Sequence, residues 1–476
     1  LGSSGGTFYV KPKQLTREHV DNLLPLLAED GDRVVRTIVE ISLSGRAPRN
    51  DPAVFALAVA ASLGNDAVRA TALQVLPQVC RTGTHLLQFA EAVDGLRGWG
   101  RGLRRSIGDW YNAKSVDDLE LQLVKYQQRE GWSNRDLLRL AHPKPASDAH
   151  RALFRWATRR ELSEDLPRLS AMERLKGANA TEAATIIRDC RLPREAVPTE
   201  LLREPQVWEA LLADMPFTAM VRNLATMTRV GLLTPGSEAA ATIVSRLGDG
   251  ERLRKARVHP MALLMAQRTY AAGQGQRSSG TWLPAPEVVD ALDQAFYAAF
   301  TNAEPTGKRY LLGVDVSGSM SCGFLPNSSI TACDAAAAMA MVTMATEPSV
   351  VPMAFADAFR PLPLSRRMRL DDVVRHTQDQ NFGSTDCALP MLFALKKRMP
   401  VDVFVVYTDN ETWFGNVHPS QALREYRERM GIPARLIVVA MTATQFSIAD
   451  PKDAGMLDVV GFDASVPTLM ADFVRT

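Results

Sequence analysis

The chain has 476 residues, 46% of them apolar and 23% charged, with 55 Lys and Arg against 53 Asp and Glu, a formal net charge of +2. That composition belongs to a folded protein several domains long and excludes a disordered, collagen-like or disulfide-scaffold chain. The five cysteines, Cys80, Cys190, Cys322, Cys333 and Cys387, are odd in number and include no C-x-x-C pair; reduced thiols, no zinc site and a cytoplasmic location are predicted.

From about residue 15 to 300 the apolar residues recur at helical spacing in short blocks broken by Gly, Asn, Asp and Pro, without competing strand-like alternation. Asn50-Asp51-Pro52 reads as a cap with Pro in the first turn of a helix, and Gly64-Asn65-Asp66 ends that helix and starts another. Helices joined by such short loops fold back on their neighbours. So many of them predict a curved stack of helix pairs in a domain spanning 1–304, although no fixed-period repeat is visible.

One stretch of this region is distinctly basic. Arg97, Arg101, Arg104, Arg105 and Lys114 are opposed by Asp109 alone and are interleaved with Trp99, Trp110 and Tyr111. Lys125, Arg129, Arg135, Arg139 and Lys144 follow, with Trp132 and His142, opposed by Glu130 and Asp136. The four-residue spacing predicts Lys125 and Arg129 on one helix face, and Arg135, Arg139 and His142 on another. Cations beside aromatics suit phosphate contacts and base stacking. A solvated helix face with the tryptophans in the core explains the same pattern. A second basic cluster, Arg252, Arg254, Lys255 and Arg257 before His259, extends such a phosphate-binding surface or marks a helix carboxyl end.

After Pro305 the pattern changes. Apolar runs at 310–314, 350–355, 401–407 and 436–441 alternate with helical stretches at 334–346, 389–398 and 419–430, which predicts a doubly wound α/β domain over 305–476. The apolar run at 335–345 is too short to span a bilayer, so no membrane association is expected. A parallel sheet binds ligands at the carboxyl ends of its strands, beside the switch in strand order. Asp315-Val316-Ser317-Gly318-Ser319 follows the first strand, Thr385 precedes a helix, and Asp409 follows the strand at 401–407. Asp315, Ser317, Ser319, Thr385 and Asp409 form an all-oxygen set suited to Mg²⁺, or to Mn²⁺. Asp386 and Glu411 are read as supporting or solvated residues. On the plainer account, Asp315 caps a turn and Asp409 is an ordinary strand-end aspartate. No nucleophile–base constellation and no phosphate-binding G-x-x-x-x-G-K loop is present.

The metal loops resemble the metal-ion-dependent adhesion site of a von Willebrand factor A domain. Their surroundings are more specific. The runs at 304–315, 383–390, 407–413 and 417–427, together with those at 98–114 and 125–145, resemble the Ro ribonucleoprotein family, and the likeness covers nearly the whole chain. It includes 1–10, and is weakest at 146–191. The resemblance implies a HEAT-like helical ring, the TROVE module, followed by the A domain. It implies that Lys125, Arg129 and His142 bind a small noncoding Y RNA on the outer basic surface, while single-stranded RNA ends enter a central hole. Such proteins act in RNA quality control beside exoribonucleases and are not enzymes. The A domain would accept an acidic protein ligand, and the protein would be monomeric apart from RNA. Two alternatives stand: a metal-dependent adhesion or scaffold protein, and a Mg²⁺-dependent phosphohydrolase built on Asp315.

Overall fold

The computed structural model describes residues 23–44, 50–129, 131–256, 258–275, 280–321, 330–355, 358–365, 367–378, 386–409, 415–441, 448–450, 452–460 and 466–475. These form two compact units dividing near Pro216. Helices between Leu23 and Asp214 build the first; the helix Phe217–Arg229 and the chain from Leu233 onward build the second.

The first unit is a succession of short helices, among them Leu23–Ser44, Asp51–Leu63, Asp66–Gln74, Gly83–Leu96, Arg101–Ala113, Val116–Lys125, Asn134–Ala141, Asp148–Arg159, Pro167–Leu175, Ala180–Cys190 and Pro205–Asp214. Their starts are written in the sequence. Asn65, Thr82, Ser115 and Ser147 each accept a backbone N–H from the first turn that follows, and Ser133 with Asp136, like Asn179 with Glu182, closes a reciprocal capping box. Each cap is worth about 1 kcal/mol. Helix Asp51–Leu63 is apolar nearly all round, as befits a position between Leu23–Ser44 and Gly83–Leu96. Asn50 departs from the expected cap. Its side chain instead accepts from Ser42 Oγ at 2.6 Å and donates to the Val79 carbonyl at 2.7 Å, joining three segments.

Strand structure also enters this helical region, against expectation. Strands β1 (Gln128–Arg129) and β2 (Trp132–Ser133) pair antiparallel across a turn at Gly131, whose φ of +83° is one that glycine adopts without steric cost.

The second unit opens with helices Phe217–Arg229, Glu238–Gly248, Gly250–Lys255, Pro260–Ala271 and Pro286–Ala298, then forms a six-stranded sheet. Its strands are β3 (Arg309–Asp315), β4 (Ser349–Phe355), β5 (Phe359–Pro361), β6 (Val403–Thr408), β7 (Arg435–Ala440) and β8 (Met456–Val460), in the order β5-β4-β3-β6-β7-β8, parallel except for β5. The four apolar runs of the sequence are the four central strands. The two edge strands escape such reading because β5 is three residues long and β8 carries Asp458. Helices Leu389–Lys396 and Pro419–Met430 contribute to one hydrophobic core with Leu311, Phe355, Phe404 and Val406. Gly313 lets the first of them approach the sheet, since a Cβ there would sit 3.0 Å from Pro390 Cγ and 3.3 Å from the Phe355 ring.

The helices ahead of the sheet meet the start of helix Leu370–Gln378. Tyr297 Oη accepts from the Leu370 N–H at 2.8 Å, the Arg369 guanidinium covers the Tyr297 ring at 4.2 Å and pairs with Asp293, and Arg268 pairs with Asp371 at 2.8 Å. The change from all-helical to strand-and-helix sequence near Pro305 therefore falls inside the second unit.

Candidate nucleic-acid interface and metal centre

Lys125, Arg129 and His142 come from three kinds of backbone. Lys125 is the last residue of helix Val116–Lys125, where it complements the negative end of the helix dipole, and its ammonium lies 5.5 Å from the centre of the Tyr126 ring. Arg129 is exposed on β1, opposite Trp132. His142 is exposed and ends helix Asn134–Ala141 in the left-handed conformation, φ 46° and ψ 50°.

The expected shared helix face of Lys125 and Arg129 is thus incorrect. Asn134 explains why the helix stops: its side chain donates to the Tyr126 carbonyl at 2.7 Å and accepts from Tyr111 Oη at 2.7 Å, pinning the hairpin to helix Arg101–Ala113. A tertiary bond takes the carbonyl that the next turn would have used. Arg135 and Arg139 do share a helix, and both are exposed with no carboxylate in ion-pair range among the described residues; His142 stands one step beyond that helix. Asn134 to His142 spans about 12 Å at 1.5 Å per residue.

The four aromatics interleaved with the cations separate cleanly. Trp110 and Tyr111 are core, 2% and 0% exposed, in edge-to-face contact. Trp99 and Trp132 are half-buried and lie against each other, with ring centroids 5.3 Å apart. The second basic cluster resolves differently. Arg252 and Arg254 pair with Asp249 and Glu251 within their own short helix, and His259 caps helix Pro260–Ala271 by accepting the Met261 N–H at 3.2 Å. Arg257 lies outside the described residues.

In the second unit the strand order reverses between β3 and β6, and the oxygens gather at the carboxyl ends of these two strands. Asp315 is 1% exposed. Its Oδ1 accepts the Ser317 N–H at 2.8 Å and its Oδ2 accepts the Thr408 hydroxyl at 2.8 Å. Ser317 Oγ and Ser319 Oγ are 3.0 Å apart, the first buried and the second exposed. Burial raises the Asp315 carboxyl above its ordinary range, the hydrogen bonds from Ser317 and Thr408 oppose that, and the charge of Asp409 adds to it. Asp386 is half-buried, accepts the Ala388 N–H at 2.9 Å, and is raised by burial. The buried Cys387 thiol is raised by burial and then by the charges of Asp315, Asp386 and Asp409.

Thr385 and Glu411 lie outside the described residues. Thr408 is the contributor that sequence reading overlooked; its signal was its place as the last residue of β6, next to Asp409. The donor set fits a hard divalent cation: a buried carboxylate with a second one near, two adjacent hydroxyls, and no cationic side chain among the influences on Asp315.

Three further histidines are structural, while His376 is exposed on helix Leu370–Gln378. His418 caps helix Pro419–Met430, His150 is buried between Ser147 and the Lys114 carbonyl, and His85 lies against Asn50. Cys80, Cys333 and Cys387 are buried and Cys190 is half-buried, none of them in a disulfide among the described residues. Among the described residues no helix is long and apolar enough to cross a membrane.

Comparison with known proteins bears on both regions. The TROVE domain family matches residues 1–185 and 190–269, and the Ro60 vWA domain matches 309–474. The chain is 44% identical over 483 residues to the RNA-binding protein RO60 of Deinococcus radiodurans, covering 100% of this chain and 91% of that one. It is 36% identical over 557 residues to the RNA-binding protein RO60 of Caenorhabditis elegans, covering 100% and 86% respectively. The crystal structure of the Deinococcus radiodurans RO (RSR) protein aligns with a TM-score of 0.91 at 44% identity, over 100% of this chain and 97% of that one.

Proposed function

The chain belongs to the Ro60 family, a TROVE domain followed by a Ro60-type A domain, and on that premise we propose that it is a non-enzymatic RNA-binding protein that holds small noncoding Y RNA on the basic surface of its first unit. The observation that carries this reading is the grouping of Lys125, Arg129 and His142 within one helix end, hairpin and helix end, beside exposed Arg135 and Arg139. Cations at such positions neutralise phosphates without reading bases, so affinity is expected to fall steeply with salt. Single-stranded ends of structured or misfolded RNA are its second class of ligand, and RNA quality control beside an exoribonuclease in the cytoplasm is its setting.

The A domain is proposed to hold Mg²⁺, with Mn²⁺ as a substitute, through Asp315, Ser317, Ser319, Thr385 and Asp409. When bound, the ion supplies a Lewis-acidic position for a carboxylate from an acidic protein ligand. Asp315 supplies the anionic oxygen, the two serine hydroxyls complete its face of the site, and Thr408 orients Asp315.

Sequencing the RNA crosslinked to the full chain in cells tests the first reading: enrichment of small structured RNAs is expected, and recovery matching total RNA sinks it. Labelled RNA incubated with protein and Mg²⁺ is expected to remain intact; cleavage lost in Asp315→Ala would establish the phosphohydrolase alternative instead.

A further inference from the structure

Trp99 and Trp132 are set apart from the other aromatics of the basic region by where the fold leaves them. Each is half-buried, and their rings meet at 5.3 Å between centroids with a tilt of 34°. Two hydrophobic side chains placed only to fill a core would be sealed, as Trp110 and Tyr111 are. Trp132 is also oriented by a polar bond, its Nε1 donating to Glu91 Oε2 at 2.6 Å. Trp99 sits between Gly98 and Gly100, and at neither glycine would a Cβ meet any atom within 4 Å, so the backbone on either side of it is uncrowded.

Beside the Glu91 carboxylate that Trp132 engages, the chain neighbours of this pair are cationic, which suits an anion that carries an aromatic group. Arg129 is the cross-strand neighbour of Trp132, and Arg101, exposed with no carboxylate in ion-pair range among the described residues, is two residues from Trp99. Arg97 is exposed on the other side of Trp99.

We propose that Trp99 and Trp132 form a stacking step for an unpaired nucleobase of the bound RNA, with Arg129 and Arg101 holding the flanking phosphates. This rests on the RNA-binding reading above and adds to it the part of the RNA that is recognised: a bulged, looped or terminal base beside a helical stem. The separation of the rings is too small for a base to enter between them, since insertion needs about two ring thicknesses, near 7 Å. The base therefore stacks on an outer face of the pair. Stacking of this kind is tolerant of base identity and adds affinity that phosphate contacts alone do not supply.

The test uses the full chain and two RNAs of equal length and charge, one a fully paired hairpin stem and the other the same stem with a bulged 2-aminopurine. Wild type is expected to bind the bulged RNA more tightly and to quench the 2-aminopurine. Trp132→Leu and Trp99→Leu are each expected to weaken the bulged RNA roughly tenfold, to leave the paired stem within twofold, and to keep the salt slope. Trp132→Phe should restore most of the loss, which guards against a Leu variant that fails to fold. Folded Leu variants that bind the bulged RNA as wild type does, or a wild type that leaves 2-aminopurine fluorescence unchanged on binding, overturn the stacking step. If Lys125→Ala and Arg129→Ala still weaken both RNAs in that event, the RNA-binding reading survives; if wild type binds neither RNA, that reading fails first.

Discussion

The basic surface of the first unit and the oxygen cluster of the second differ in more than sign. Arg129, Arg135 and Arg139 are exposed, on a hairpin and a short helix, where their charges cost nothing to hydrate, and His142 is exposed at a helix end. Asp315 is buried at the end of a central strand, fixed by the Ser317 N–H and the Thr408 hydroxyl and raised by its own burial. A polyanion several nanometres long has to be met in solvent by a broad field, and such a field is screened by salt. A metal ion has to be met by oxygens already stripped of water and fixed in place. The first region should therefore respond to ionic strength, and the second to pH and metal.

Four experiments break or sharpen this contrast. The largest effect is expected from Lys125→Ala, Arg129→Ala and His142→Ala combined, which should weaken structured-RNA binding on the order of 10³-fold at low salt, at about 1.5 kcal/mol per contact. The triple variant should also show a shallower dependence on salt. An unchanged slope would assign the phosphates elsewhere. Next, Asp315→Ala is expected to abolish Mn²⁺ binding seen by titration calorimetry while RNA affinity stays within twofold. Coupled loss of RNA affinity in a folded variant would erase the division of labour.

A third effect follows from the raised carboxyl of Asp315. Below the ordinary carboxylate range the proton is bound in both folded and unfolded chains and no penalty exists; as pH rises through the elevated folded value, the buried charge opposes folding. In metal-free protein Asp315→Asn should therefore melt higher than wild type at neutral pH, and the two should converge toward acid. Saturating Mg²⁺ should reverse the neutral-pH order, because only wild type gains from binding. Melting curves in chelator at several pH values decide this; an Asn variant that melts lower at neutral pH contradicts it. The smallest effect is that of Ser133→Ala, which removes one capping box beneath the basic surface. A loss of about 1 kcal/mol in chemical denaturation is expected, and no change would mean that Asn134 alone holds the hairpin.

Much of this molecule is legible without coordinates, and the legible parts share a cause. Caps such as Asn65 and Thr82 act on amides two or three residues away, and the central strands β3, β6 and β7 are runs of apolar residues buried on both faces, with β4 buried over its last three residues. Local chemistry determines both. That Asp315, Ser317, Ser319 and Asp409 lie at the ends of β3 and β6 was legible for a related reason: strand ends at the switch point of a parallel sheet are neighbours by topology.

What spacing could not supply depends on contacts far apart in the chain. Lys125 and Arg129 are four residues apart and should share a helix, yet Asn134 captures the Tyr126 carbonyl and turns the chain into a hairpin. Trp99, Trp110, Tyr111 and Trp132 are equivalent in sequence, as aromatics among cations, and only packing sends two to the core and leaves two half-buried against each other. Thr408 gains its role from an oxygen 93 residues earlier. The sequence by itself determined the fold class and the chemistry available to each site, because these rest on composition, periodicity and short-range hydrogen bonds. The tertiary structure alone decided which groups face solvent and which face each other, because burial and long-range hydrogen bonding exist only once the chain has closed.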